Sequence, residues 1–210
     1  SIGYKEGFYY RPRIDYEVLR EHNENVIALT GGLMGEVPWQ FRNKGEEKAL
    51  ESIRQLQDIY QDRLYLELNR TGVNAWDEIN PFLLEASKIT GVSTVATNDV
   101  HYLKQEEQLA QEVLICIGSN KTLQDETRYR LGSDQFYFKS SKQMRNLFKD
   151  LPEVCDRTLE IADRCEIHFQ LKDSFGQPIY HLPSFPTSEG RSLQDEMKIL
   201  AKEGLEKRFQ

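Results

Sequence analysis

The residues best suited to chemistry stand in one short run, Asn98-Asp99-Val100-His101. In an extended segment, side chains two apart share a side. Asp99 and His101 would then project together beyond the end of a strand, and a carboxylate oxygen with an imidazole nitrogen suits Zn²⁺ or Mn²⁺. A plainer arrangement fits the same residues: Asp99 caps the following turn and His101 bonds to backbone, since two ligands do not make a site. No His-x-His pair adds to them; His22, His168 and His181 stand alone, as surface or packing histidines do. Glu36 and Glu67 are acids that could face the same rim, although Glu67 equally suits ion pairing between apolar neighbours. The sequence holds no nucleophile–base arrangement with a recognisable local signature, no P-loop and no dinucleotide fingerprint. It also lacks an Asp-x-Asp pair of the kind that binds two metals in a polymerase palm.

What positions this run is a series of short β-rich stretches, each tied to a helical pattern. The stretch 26–30 is stopped by Gly31-Gly32, and a helix follows with Ala49, Leu50, Ile53, Leu56 and Ile59 at three- and four-residue spacing. The stretch 64–68 comes next. Asn80 then reads as a helix N-cap with Pro81 at the first helical position, Phe82, Leu83, Ala86 and Ile89 as the buried stripe, and Gly91 as the stop. The stretch 93–97 leads into the Asp99/His101 run. Strand, helix, strand, helix, strand predicts βαβ units, with three adjacent parallel strands whose carboxyl ends share one rim. Parallel strands need both faces and both edges covered, so further strands are expected before Ser1.

Beyond His101 the pattern turns mainly helical. A helix is predicted over 106–117 with Leu109, Val113, Cys116 and Ile117 inward, and a long polar loop over 119–132. A short strand is predicted at 136–138, then helices over 141–148 and 152–165, the second with Val154, Thr158, Ile161, Ala162 and Cys165 on one face. Residues 171–187 read as a connector, and 192–208 as an amphipathic helix through Leu193, Met197, Leu200, Ala201 and Leu205.

Composition narrows the class. Thirty-four acidic residues against 27 basic ones leave a net charge of −7, the opposite of what a broad phosphate-gripping face requires. Arg128-Tyr129-Arg130 is expected to be ordinary solvated surface. No apolar run is long enough to span a bilayer, and no secretory signal is visible. Three cysteines at no metal-like spacing point to a reduced, cytoplasmic protein.

One resemblance spans the chain in colinear order. Gly-Phe-Tyr-Tyr-Arg-Pro-Arg-Ile at 7–14, Ala-Leu-Thr-Gly-Gly-Leu-Met-Gly-Glu at 28–36, Tyr65-Leu66-Glu67-Leu68 and Val-Ala-Thr-Asn-Asp-Val-His-Tyr-Leu at 95–103 are similar to the PHP domain of the alpha subunits of bacterial DNA polymerase III, the C-family replicative polymerases. Phe136-Tyr137-Phe138-Lys139-Ser140, Ile161-Ala162, Leu182-Pro183, Phe185-Pro186-Thr187 and Ala201-Lys202-Glu203-Gly204-Leu205 continue it. The resemblance implies an α/β fold, the later part of a distorted seven-stranded β/α barrel with parallel strands, followed by a mainly helical segment. Residues 1–172 would belong to the PHP domain and 173–210 to a connector and the first helix of the polymerase region.

By match, Asp99 and His101 look like the last two ligands of a metal cluster at the barrel mouth, the others lying before Ser1. Metal-containing relatives usually carry a cysteine where this chain has Gly32, which offers no side-chain ligand. The expected reading is therefore a scaffold within a replicative polymerase, with DNA, deoxynucleoside triphosphates, a proofreading exonuclease subunit, a sliding clamp and a clamp-loader subunit as partners of the parent. Mg²⁺ would serve the parent polymerase, while Zn²⁺ or Mn²⁺ at the PHP site of this segment is expected to be absent. The alternative is a metal-dependent phosphoesterase or 3′–5′ exonuclease domain with its own activity. No catalytic residue for nucleotidyl transfer is expected in the segment, and the segment alone is expected to be inactive.

Overall fold

The structure, a computed structural model, describes residues 2–180, 185–187 and 190–209. His181 and the Leu182-Pro183 part of the resemblance lie outside them. The chain divides into two compact units, Ser1–Cys165 and Glu166–Gln210.

The first unit is built on a parallel sheet of β1 (Ala28–Leu29), β2 (Leu64–Asn69) and β3 (Ser93–Thr97), in the order β1-β2-β3. Helices α1 (Ile2–Lys5) and α2 (Tyr16–Glu21) precede the sheet. Helices α3 (Glu36–Lys44) and α4 (Glu46–Tyr60) connect β1 to β2, and α5 (Ala75–Thr90) connects β2 to β3. The expected adjacency and direction are thus present. Tyr65 pairs with Ser93 and the register runs on to Asn69 opposite Thr97, so the carboxyl ends of β2 and β3 finish level.

β2 is the central strand and is buried on both faces, as its apolar run anticipates. Leu64, Leu66 and Leu68 join Ile53 of α4 and Ile79 and Leu83 of α5 in one core. At the amino ends of the strands, Tyr65 Oη reaches Glu160 Oε1 (3.1 Å) and Arg157 Nη1 donates to Ser93 Oγ (2.7 Å). Both partners sit on α8 (Pro152–Arg164), which packs on β3.

Several expectations need correction. Only Ala28 and Leu29 of 26–30 form a strand: the Val26 carbonyl accepts from Arg63 Nη1 (2.9 Å), so the chain turns away before β1. α5 starts at Ala75, not at Asn80, and Pro81 lies inside it. Asn80 does not cap this helix. Its side chain donates to the Asn69 carbonyl (2.8 Å) and accepts from the Asn69 N–H (3.4 Å), pinning the end of β2. Ile89 is exposed, and Trp76 and Ile79 are buried in its place. Gly91 does stop the helix, in the left-handed region at φ 75° that favours glycine.

After a short 3₁₀ turn, α6 (Gln108–Ser119) follows, but its apolar stripe lies largely in solvent. Cys116 is buried, whereas Leu109, Val113 and Ile117 are exposed. Residues 136–138 contribute a single parallel bridge, Tyr102 with Tyr137, not a strand. α7 (Ser141–Leu147) is capped by Ser140, whose side chain and that of Gln143 satisfy each other's backbone N–H. α8 buries Val154 and Cys155 in its first turn and half-buries Ile161, while Thr158, Ala162 and Cys165 are exposed.

Arg128 is not solvated surface either. Its guanidinium pairs with Glu112 Oε2 at 2.6 Å with side-chain exposures of 8% and 17%, anchoring the 119–132 loop to α6. Glu112→Ala leaves that cation buried and unpaired. The expected loss is roughly 2 kcal/mol in urea unfolding, short of a fully buried pair because Arg128 Nε keeps its bond to the Leu123 carbonyl.

In the second unit, residues 171–180 form an irregular segment with one antiparallel bridge, Lys172 with Pro178. α9 (Leu193–Arg208) follows. It is capped by Ser192, and its apolar residues Leu193, Met197, Leu200 and Leu205 are exposed.

Candidate functional site

The carboxyl ends of the three strands carry Gly31-Gly32, the Asn69-Arg70 turn and the run after Thr97 on one rim, as parallel pairing requires. Asp99 and His101 do meet there, with His101 Nε2 3.3 Å from Asp99 Oδ1. The route differs from strand alternation. β3 ends at Thr97 and Asp99 adopts φ +43°, so a turn, not an extended segment, brings the two side chains together. His101 is fixed from behind. Its N–H donates to the Phe136 carbonyl (2.8 Å), and its ring meets Phe136 edge-on at 5.4 Å.

Below the pair lies Glu67. It shares a face of β2 with Tyr65 and Asn69, and Thr97 Oγ1 donates to its Oε1 at 2.7 Å. Burial pushes the Glu67 carboxyl up, and the negative charge of Asp99 adds to this; the Thr97 hydroxyl and the Gly31 N–H oppose it. Glu67 therefore belongs to the rim: its side chain accepts from Thr97 at the end of β3, its backbone N–H donates to Thr30 Oγ1 just after β1 (3.0 Å), and no cation among the described residues forms an ion pair with it. The other expected acid, Glu36, lies in the first turn of α3 and accepts from Ser52 Oγ (3.2 Å).

The residue between strand and pair is also held. Asn98 Nδ2 donates to the Tyr137 carbonyl (2.6 Å), and its Oδ1 accepts from Lys139 Nζ (3.1 Å). On the β2 side, Arg70 grips both oxygens of Asp150 (2.6 and 2.8 Å) and the Leu147 carbonyl (2.7 Å). Reading the sequence does not find Lys139 or Arg70, because a single cation in an apolar or turn segment has no periodic signature.

The ligand chemistry fits a metal site only in part. Asp99 and His101 supply one oxygen and one nitrogen donor, and Gly32 supplies none. Among the described residues, no group of three or more His, Cys, Asp or Glu is placed to hold an ion. Asp99 and His101 are fewer than the three protein ligands that a Zn²⁺ site commonly uses. His22 and His168 join no such group either.

Comparison with known proteins gives matches at two scales. Residues 1–71 match the family model described as PHP domain. That stretch, which holds β1 and β2, is thus similar to PHP domains, and Asp99 and His101 lie beyond it. Over its whole length the chain is 36% identical to the DNA polymerase III subunit alpha of Helicobacter pylori strain J99, of which it covers 19%. The match to the protein of the same name from Thermus aquaticus is also 36%, with the whole chain and 17% of that protein covered. For Pseudomonas aeruginosa the identity is 38% over 94% of the chain and 16% of the relative. The chain is thus similar to DNA polymerase III alpha subunits along its length, and it spans about a fifth of the length of these relatives. Among the described residues, no helix is long and apolar enough to cross a membrane.

Proposed function

We propose that this segment is the scaffold part of a bacterial replicative DNA polymerase, the later portion of a seven-stranded PHP barrel running into the polymerase region. Residues 1–172 would form the PHP portion, and 173–210 a connector and the first helix of the polymerase region. The observation that carries this reading is the similarity to polymerase alpha subunits along the entire chain. Template-directed DNA synthesis, with Mg²⁺, DNA and deoxynucleoside triphosphates, belongs to the parent protein in the cytoplasm. The PHP portion would position that core and dock a separate proofreading exonuclease subunit, with the sliding clamp and a clamp-loader subunit bound elsewhere on the parent.

What supports a scaffold over a nuclease is the ligand inventory of the rim: among the described residues no three donors are placed to hold one ion, and a glycine stands where the resemblance implies a thiolate in metal-containing members. A second reading, a metal-dependent phosphoesterase or 3′–5′ exonuclease, is favoured by the 3.3 Å approach of Asp99 and His101. Primer-extension and exonuclease assays on the purified chain, with Mg²⁺, Mn²⁺ and Zn²⁺ each added, separate the two. The expected result is neither extension nor 3′ degradation above background. Efficient 3′ degradation that disappears in His101→Ala would overturn the scaffold reading.

A further inference from the structure

Behind the rim, Lys139 presents a cation with no ion-paired carboxylate among the described residues. The residue is only 9% exposed, and its Nζ binds the Asn98 Oδ1 (3.1 Å) and the Gln135 carbonyl while lying 4.1 Å over the Tyr137 ring. All three partners are neutral. Among the described residues no carboxylate is ion-paired with it; Asp134 acts on it only at a distance and is itself held by Gln105 and Gln135. A buried ammonium without a counter-ion is costly, and burial accordingly holds its pKa below the ordinary lysine value.

Lys139 also lines a cavity of about 350 Å³, together with Ser141, Arg145 and Thr158 on its polar side and Ala96, Met144, Cys155 and Leu159 on the other. That size is at the lower end of small-molecule sites, roughly 300–1,000 Å³. One part of the wall is cationic and hydroxylic, and the other is apolar. Arg145 now reaches Asp156 at 2.7 Å, but both side chains are about half exposed or more (49% and 62%), so the pair contributes little and the guanidinium can turn inward. Two cations and a hydroxyl beside an apolar wall suit a phosphate ester with a small organic body.

We propose that this cavity binds a phosphomonoester of mononucleotide size, with the phosphate on Lys139, Arg145 and the Ser141 hydroxyl and the nucleoside against Ala96, Met144 and Leu159. Through Asn98, occupancy is linked to the loop that carries Asp99 and His101. The inference stands on the cavity alone and is independent of whether the chain works within a polymerase.

Calorimetric titration of the purified chain at low salt tests it, with inorganic phosphate, deoxyadenosine monophosphate and deoxyadenosine as three separate probes. Saturable binding is expected for the first two, tighter by about tenfold for the nucleotide because of the apolar wall, and absent for the nucleoside. Lys139→Met should weaken nucleotide binding at least about tenfold. Since that change also removes the Asn98 contact, Arg145→Gln provides a variant on an exposed side chain. It should weaken binding by roughly three- to tenfold with an unchanged melting temperature. No saturable binding to the unaltered chain, or binding that neither variant reduces, overturns the site. A nucleotide that binds no more tightly than inorganic phosphate overturns its assignment to a mononucleotide.

Discussion

Phe148→Ala should cost the first unit roughly 3–5 kcal/mol of unfolding free energy, enough to leave a domain of ordinary stability barely folded. Phe148 is completely buried, in the same core as Leu66, Leu68 and Ile79. Its ring also carries the Arg70 guanidinium, 4.6 Å from the centroid, and Arg70 holds Asp150 and the Leu147 carbonyl. Truncation opens a cavity and removes the platform on which a half-buried cation rests. Arg70 in turn holds the Asp150 carboxyl down at about 2, below the ordinary 3.8. The stability this shift contributes is present above the ordinary value and is lost as pH falls to about 2. Asp150 is well exposed, so solvent screening keeps that part small. Urea unfolding at neutral pH checks the larger effect; a loss below about 1 kcal/mol would show that the site collapses without a cavity and that Phe148 is not central to the core.

The elements that proved legible are those whose burial is settled by neighbours close in sequence. β2 and β3 are short runs rich in apolar and β-branched residues, and both form where expected, in the expected order. Gly91 is another, since its left-handed conformation is a local requirement. Asn80-Pro81 misled because Asn-Pro is a good helix start only when the asparagine amide is free to cap. Here a backbone eleven residues earlier in the chain claims that amide, and the helix begins upstream of it. The stripes on α6 and α8 failed differently. Apolar periodicity identifies a face suited to burial but names no partner for it, and Leu109, Ile117 and Ala162 are exposed here. Arg128 was hidden for the converse reason, as a charge reads as surface until its counter-ion, Glu112 on α6, folds against it.

The rim was legible in its members and not in its geometry. Two residues two apart did mark the pair, yet the backbone that joins them turns at Asp99. Glu67 could not be assigned from sequence because an acid within an apolar strand is compatible with either face. Only the register with β3, which sets Val95 opposite it and leaves Thr97 within hydrogen-bond reach, decides that it lies beneath the pair.

Gly32→Cys should convert this rim from a pair of donors into a set that retains metal. Gly32 lies just past the carboxyl end of β1, on the same rim of the sheet as the pair. It is exposed, and a Cβ at this position would meet no atom within 4 Å, so the substitution introduces no clash. A thiolate beside an imidazole and a carboxylate gives the three protein ligands that Zn²⁺ sites commonly use, with water in the fourth position. Ligand deprotonation makes the gain depend on pH, so the measurement belongs at or above neutrality. Zinc affinity is expected to rise by about 100-fold or more over the unaltered chain. After dialysis against a mild chelator, the variant should keep close to one equivalent of Zn²⁺, and Asp99→Ala placed on top of it should release the ion. If the variant holds no more zinc than the starting protein, position 32 does not reach the pair, and the missing thiolate is not what sets this rim apart from metal-containing relatives. If the unaltered chain already keeps tightly bound zinc that Asp99→Ala removes, the rim is a working metal centre and the scaffold reading fails.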